Sequence, residues 1–161
     1  MRVNIFSEDN LGPVLDMVEA CRGVRQDPRH HPEGDVYIHS LQAVARALYE
    51  TDDPHLILAA LLHDVGKSVE DHGHEEHSEK MLEPYMNARV QWFVGQHMRI
   101  KTYLSGQMRR PGKCRELVSH PWFPQLVQLA RFDQMARIKG WIPRMDRFSI
   151  IDSLNKKLNT E

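Results

Sequence analysis

The sequence predicts an all-α protein, and three observations carry that prediction. Apolar residues recur at intervals of three and four along most of the chain. No stretch of useful length alternates apolar and polar residues as a half-buried strand would. Proline, glycine and Asp-Pro breaks cut the periodic runs into pieces of helical length.

Leu11, Leu15, Val18 and Cys21 repeat at helical spacing after Ser7-Glu8-Asp9-Asn10, a polar start, and Gly23 is the expected stop. The loop RQDPRHHPEGD (25–35) follows. A second helix is predicted over 36–49, with Ile38, Leu41, Val44, Ala45 and Leu48 on one face. Asp52-Asp53-Pro54 gives a third helix its capped start. From His55 to Asp64 the sequence is apolar all round, which places this helix at the centre of the bundle, and Gly66 should end it. A polar loop, 68–73, leads to two predicted helices over 75–86 and 88–99, around Pro84. Short pieces over 102–108 and 113–120 flank Pro111-Gly112. A long core helix is predicted over 121–138, with Leu126, Leu129, Ala130, Asp133 and Arg137 marking its faces, and a tail helix over 147–158. The expectation is one domain across 1–161, its core at 30–137.

The chain has 161 residues, of which 41% are apolar and 27% charged, enough for an ordinary core and unlike a disordered segment. No apolar run approaches the roughly 20 residues of a membrane span. The opening MRVNIFSEDN lacks a charged-then-apolar leader pattern, and Cys21 and Cys114 have neither metal-site spacing nor the look of a disulfide framework. A cytoplasmic location is therefore expected. The net charge of −1 hides an asymmetry: residues 1–98 carry 8 Lys/Arg against 17 Asp/Glu, whereas 99–147 carry 11 against 3. The basic segment is either an anion-attracting face or a set of solvated helix surfaces.

The most informative local feature is His63-Asp64, in the run LAALLHDVGK. A carboxylate at the end of a buried helix is costly, and the helix dipole disfavours it there, unless something positive neutralises it. A divalent cation does so best. Other metal-binding residue types stand at His39, His72, His74, His77, His97 and Asp133. Each also has an ordinary reading. His39 could be a hydrogen-bonded core histidine, DHGHEEH a solvated loop, His97 a surface residue, and Asp133 the partner of Arg137 on an exposed helix face.

Taken together, the order His39, His63-Asp64, His74, His97, Asp133 resembles the H…HD…H…H…D pattern of the HD-domain superfamily of metal-dependent phosphohydrolases. HPEGDVYIHSLQ (31–42) resembles the HD domain attached to bacterial CCA-adding tRNA nucleotidyltransferases, and GHEEHSEKM (73–81) a segment of those domains and of other small HD phosphatases. The resemblance implies a helical bundle of the HD type holding one or two divalent ions, of the set Mn, Fe, Co, Ni, Zn or Mg. It makes His39, His63, Asp64 and Asp133 one site, with Asp64 bridging to a second carried by His74 and His97. His74 is preferred over His72 and His77 because it holds the histidine position of the G-H-E segment.

The activity implied is hydrolysis of a nucleotide or small phosphate ester by a metal-activated water, with Asp64 and Lys67 as catalytic residues and Lys67, Arg99 and Lys101 as phosphate-binding ones. An ordinary reading of Lys67 is a cation on the helix dipole. RNA is the weaker partner, because the basic segment has no aromatic stacking platform. Two alternatives stay open. The stretch H-x-x-x-K-x-Y, from His97 through Lys101 to Tyr103, resembles the phosphonate-binding stretch of small HD-fold diiron oxygenases, although the HD-x-x-H histidine of some relatives is Lys67 here. A non-catalytic nucleotide- or RNA-binding HD module is the other. The G-Y-P motif of cyclic-di-GMP phosphodiesterases is missing.

Overall fold

A computed structural model describes residues 4–159, and among them the only extended pairing is one isolated antiparallel bridge, Arg25 with Asp35. Everything else that is regular is helical. α1 (Glu8–Glu19) starts where the Asn10 side chain accepts from the Ser7 N–H at 2.9 Å. It stops four residues before Gly23, because the chain tightens into three-residue turns: Cys21, Arg22 and Val24 donate to Val18, Glu19 and Cys21. Gly23 takes the positive φ, +84°, that closes this turn. α2 (Val36–Glu50) is capped by Asp35, which accepts from Ile38 N at 2.8 Å.

α3 (Pro54–Leu62) opens with Pro54 in its first turn and Asp53 accepting from the backbone of His55 and Leu56. Leu56 to Leu62 are all buried, and α3 packs on α2, on α5 (Ala88–Leu104) and on α7 (Phe123–Met135), as its all-round apolar sequence requires. It ends two residues earlier than the run to Asp64 suggests. His63 caps it, Asp64 leaves helical geometry (φ −109°, ψ 8°), and Val65–Ser68 form a 3-10 turn. Gly66 therefore lies inside this turn rather than at a helix end. The turn is pressed against α4 (His74–Leu82): a Cβ on Gly66 would stand 2.6 Å from Ser78 N. Gly66 N instead donates to Ser78 Oγ at 2.8 Å, and that hydroxyl donates to His63 O at 3.2 Å. Ser78 thus satisfies both ends of the break.

Pro84 stops α4 at Leu82, short of Met86. α5 runs on through Thr102–Leu104, residues expected to start a separate piece, so His97 is inside a 17-residue helix rather than at a helix end. Pro111 opens α6 (Pro111–Val118) instead of preceding it. α7 is shorter at both ends than predicted. Beyond it, Gln42 of α2 clamps the chain by donating to Ile138 O and Trp141 O and accepting from Ile138 N. α8 (Arg147–Leu158), capped by Asp146, packs on α1 and α3. No helix of the described residues is long and apolar enough to cross a membrane.

Candidate metal centre

Five elements deliver six side chains to one point. His39 comes from α2, His63 and Asp64 from the break after α3, His74 from the first turn of α4, His97 from α5 and Asp133 from α7. All six are buried. Every one of the four histidines turns Nδ1 towards a carbonyl oxygen. His63 Nδ1 donates to Ala60 O (2.8 Å), His74 Nδ1 to Asp71 O (3.0 Å), His97 Nδ1 to Val94 O (2.6 Å) and His39 Nδ1 to Ala136 O (2.8 Å). A carbonyl only accepts, so the ring proton sits on Nδ1 and the neutral ring's lone pair is at Nε2.

Those four Nε2 atoms converge. His39 and His63 are 3.3 Å apart at Nε2, and His74 and His97 are 3.0 Å apart. Two lone pairs at such distances repel unless a proton or a cation lies between them. The Asp64 carboxylate divides between the pairs: Oδ2 is 3.3 Å from His63 and 3.5 Å from His39, while Oδ1 is 3.1 Å from His74 and 3.4 Å from His97. Asp133 Oδ1 adds contacts of 2.9 Å to His39 and 3.6 Å to His63. Asp64 Oδ1 and Asp133 Oδ1 are buried without a hydrogen-bond partner among the described residues.

Burial works to raise the pKa of both carboxylates, yet both are held well below the usual range. For each the largest opposing influence is the His63 charge, joined at Asp133 by Lys101. Burial works to neutralise His63, but Asp64 and Asp133 raise it to about 10; His39 is raised in the same way by its carboxylate contacts. His97 is lowered, chiefly by burial. The cluster therefore stays anionic enough to hold a proton on a fully buried imidazole. That charge, with inward lone pairs and unpartnered carboxylate oxygens, fits a divalent cation. The groups His39, His63, Asp133 and His63, Asp64, His97 each converge closely enough to hold one.

The remaining sequence-derived candidates divide. Lys67 reaches Asp64 Oδ2 (3.3 Å) and Lys101 reaches Asp133 Oδ2 (2.5 Å). Arg99 is exposed on α5 and its charge acts on Glu79 of α4, so it is not brought to the cluster. His72 is exposed, and His77 faces Glu70 at 3.6 Å. Arg137 stands 3.9 Å from Asp133, but the shared face is buried, not exposed. Of the basic segment only Lys101 lines the cleft of about 740 Å³ above the cluster; Arg109, Arg110, Lys113 and Arg115 are exposed elsewhere.

Glu33 escaped the sequence reading. Its buried Oε1 accepts from His39 Nδ1 and from His31 Nδ1, both at 2.9 Å. Burial would raise its pKa, but the two imidazole hydrogen bonds hold it at about 2. A glutamate between Pro32 and Gly34 has no periodicity to betray it; only the likeness of HPEGDVYIHSLQ to a known segment drew attention to the stretch.

The HD domain family model matches residues 36–120, just over half of the chain, and includes every cluster residue except Asp133. Among curated proteins, the multifunctional CCA protein of Teredinibacter turnerae is 36% identical over 84 residues, 48% of this chain and 20% of that protein. That of Methylococcus capsulatus is 46% identical over 52 residues, 32% of this chain and 12% of its own length. That of Legionella pneumophila (strain Paris) is 34% identical over 87 residues, 50% of this chain and 21% of its own. The chain thus spans about a fifth or less of these relatives. With an all-α bundle, a buried His/Asp cluster able to hold a metal and the family match over most of that cluster, the chain belongs to the HD domain family.

Proposed function

We propose that this protein is a metal-dependent phosphohydrolase acting on a nucleotide or small phosphate ester. One observation carries the reading: four imidazoles give their Nδ1 protons to carbonyls and turn four Nε2 atoms towards two ionised carboxylates. His39, His63, Asp64 and Asp133 would hold one ion and Asp64, His74 and His97 a second, with Asp64 shared. Bound there, a divalent metal makes a water acidic and neutralises charge developing on phosphoryl oxygens.

The chain's own groups do the rest. Asp64 ties the two halves through its separate oxygens. Lys67 and Lys101 sit at the rim of the cluster, each held by one carboxylate oxygen, and present ammonium protons to phosphoryl oxygens. Ala59 to Leu62, the residues leading into His63, are fully buried, so the cluster sits at the end of an apolar helix. Tyr103, the last residue of the H-x-x-x-K-x-Y stretch, packs edge-on against Phe123 and does not line that cleft, which weakens the oxygenase alternative.

The test is phosphate release from nucleoside mono-, tri- and cyclic phosphates by protein loaded in turn with each divalent metal. Release that depends on metal and disappears in Asp64→Asn supports the hydrolase. Stoichiometric iron with substrate-dependent oxygen uptake and no phosphate release would move the protein to the oxygenases. Nucleotide binding without turnover, unchanged in Asp64→Asn, would make it a binding module.

A further inference from the structure

The cleft above the cluster separates hydrogen-bond donors from acceptors. Its two ammonium groups, Lys67 and Lys101, lie at the floor beside Asp64 and Asp133. Its walls carry four carboxylates: Glu70, paired with His77, and Asp71, Glu75 and Glu76. His31 lines it too, beside His72, Gly73, His74 and Met98. Its Nδ1 is committed to Glu33, which leaves Nε2 as the ring atom open to a ligand hydroxyl, an acceptor in the neutral ring. His31 is mostly buried, with 14% of its side chain exposed, so it is held in this orientation. The buried, unpartnered Asp64 Oδ1 lies within the cluster below these walls.

We infer that this division selects the substrate: a phosphate ester of an uncharged, hydroxyl-bearing alcohol, carrying one phosphate, in preference to a polyphosphate. The inference rests on the hydrolase reading and narrows its substrate. A phosphoryl group at the floor meets the ammonium donors. Its organic part then runs along walls rich in carboxylate acceptors, to which sugar hydroxyls can donate their O–H protons. A second or third phosphate would bring its negative charges against wall carboxylates beside which no lysine or arginine of the described residues lines the wall. The excess of positive charge in residues 99–147 does not relieve this, because those arginines do not line the cleft.

Two substrate pairs test this on the manganese-loaded protein. AMP against ATP isolates the extra phosphates, and glycerol phosphate against propyl phosphate isolates the hydroxyls. The expected kcat/KM favours AMP over ATP by about tenfold or more, and glycerol phosphate over propyl phosphate. Glu75→Gln/Glu76→Gln should pull the AMP/ATP ratio down by roughly threefold or more, and His31→Phe should bring the glycerol/propyl ratio towards one. Ratios, unlike rates, are insensitive to the fraction of folded enzyme. ATP turned over as well as AMP, or both ratios unmoved by the variants, overturns the inference while leaving a hydrolase in place. Phosphate release from none of the four substrates, nor from a cyclic nucleotide, with any of the divalent metals overturns the hydrolase reading itself.

Discussion

Replacing Asp64 with asparagine keeps the size of the side chain and removes the one charge that touches both halves of the cluster. Oδ2 serves His39, His63 and Lys67, and Oδ1 serves His74 and His97, all within 3.5 Å. Among the described residues no other carboxylate reaches both pairs: the Asp133 contacts are to His39 and His63. An ion present at 100 times its dissociation constant stabilises the native state by about 2.7 kcal/mol. For a chain of this length that corresponds to a rise in Tm of about 5–11 °C. If losing the shared carboxylate weakens binding by about 100-fold, the same metal concentration contributes only about 0.4 kcal/mol, or roughly 1–2 °C. The assay is thermal unfolding of metal-free protein and of protein with added Mn²⁺ or Zn²⁺, for both chains. The quantity read is the metal-induced shift, so a change in the starting Tm of Asp64→Asn does not disturb it. A variant that keeps the full shift would refute the bridging role of Asp64.

Three further outcomes follow from the same geometry. His74→Ala should lose most of the metal-induced Tm shift, because its Nε2 lies 3.1 Å from Asp64 Oδ1, whereas His72→Ala, exposed in the loop, should keep it; equal losses would mean that the wrong neighbour has been assigned. Gly66→Ala should destabilise by about 1–3 kcal/mol in urea unfolding, since the new Cβ meets Ser78 N at 2.6 Å and Ser78 Oγ at 2.7 Å. Asp53 pairs with Arg89 through bonds of 2.7 and 2.6 Å; burial works to raise its pKa, but Arg89 wins and lowers it. Because the folded pKa is depressed, the pair's stability is present above the unfolded value of about 3.9 and is lost as pH falls through the folded value. Asn also caps helices, so Asp53→Asn isolates the charge: wild type should exceed it by up to about 1 kcal/mol near pH 6 and match it in acid. A difference that persists unchanged in acid would locate the effect elsewhere.

The helices were legible where local chemistry decides them. Asp53-Pro54 starts α3, Asp35 starts α2, and the all-apolar run 56–62 had to be central. The ends were not, because tertiary contacts set them. α3 breaks at His63 so that the turn at Gly66 can press on Ser78, a contact across 12 residues that no periodicity records. α7 ends at Met135, before the clamp that Gln42 makes from 96 residues away. The basic segment shows the limit of reading charge along a chain. Summed over residues 99–147 it left an anion-binding face and a solvated surface both open, but of those basic side chains the fold brings only Lys101 to the cleft and leaves its walls acidic.

The cluster itself was half local and half not, and the division is physical. His63, His74 and His97 each give Nδ1 to the carbonyl three residues upstream, Ala60, Asp71 and Val94. That bond is within reach of any histidine in a turn of helix, so the tautomer that points Nε2 inward is specified by the segment carrying each ring. His39 lies inside α2 and finds its acceptors far away, at Ala136 after α7 and at Glu33 in the preceding loop. Its orientation therefore depends on α7 ending where it does and on a buried glutamate that no sequence pattern marks. Three rings of the cluster can be set before the bundle closes, whereas the fourth, with Asp133, is set by closure. Metal affinity should for that reason be more sensitive to the packing of α7 on α2 than to anything within α4 or α5 outside the histidines themselves.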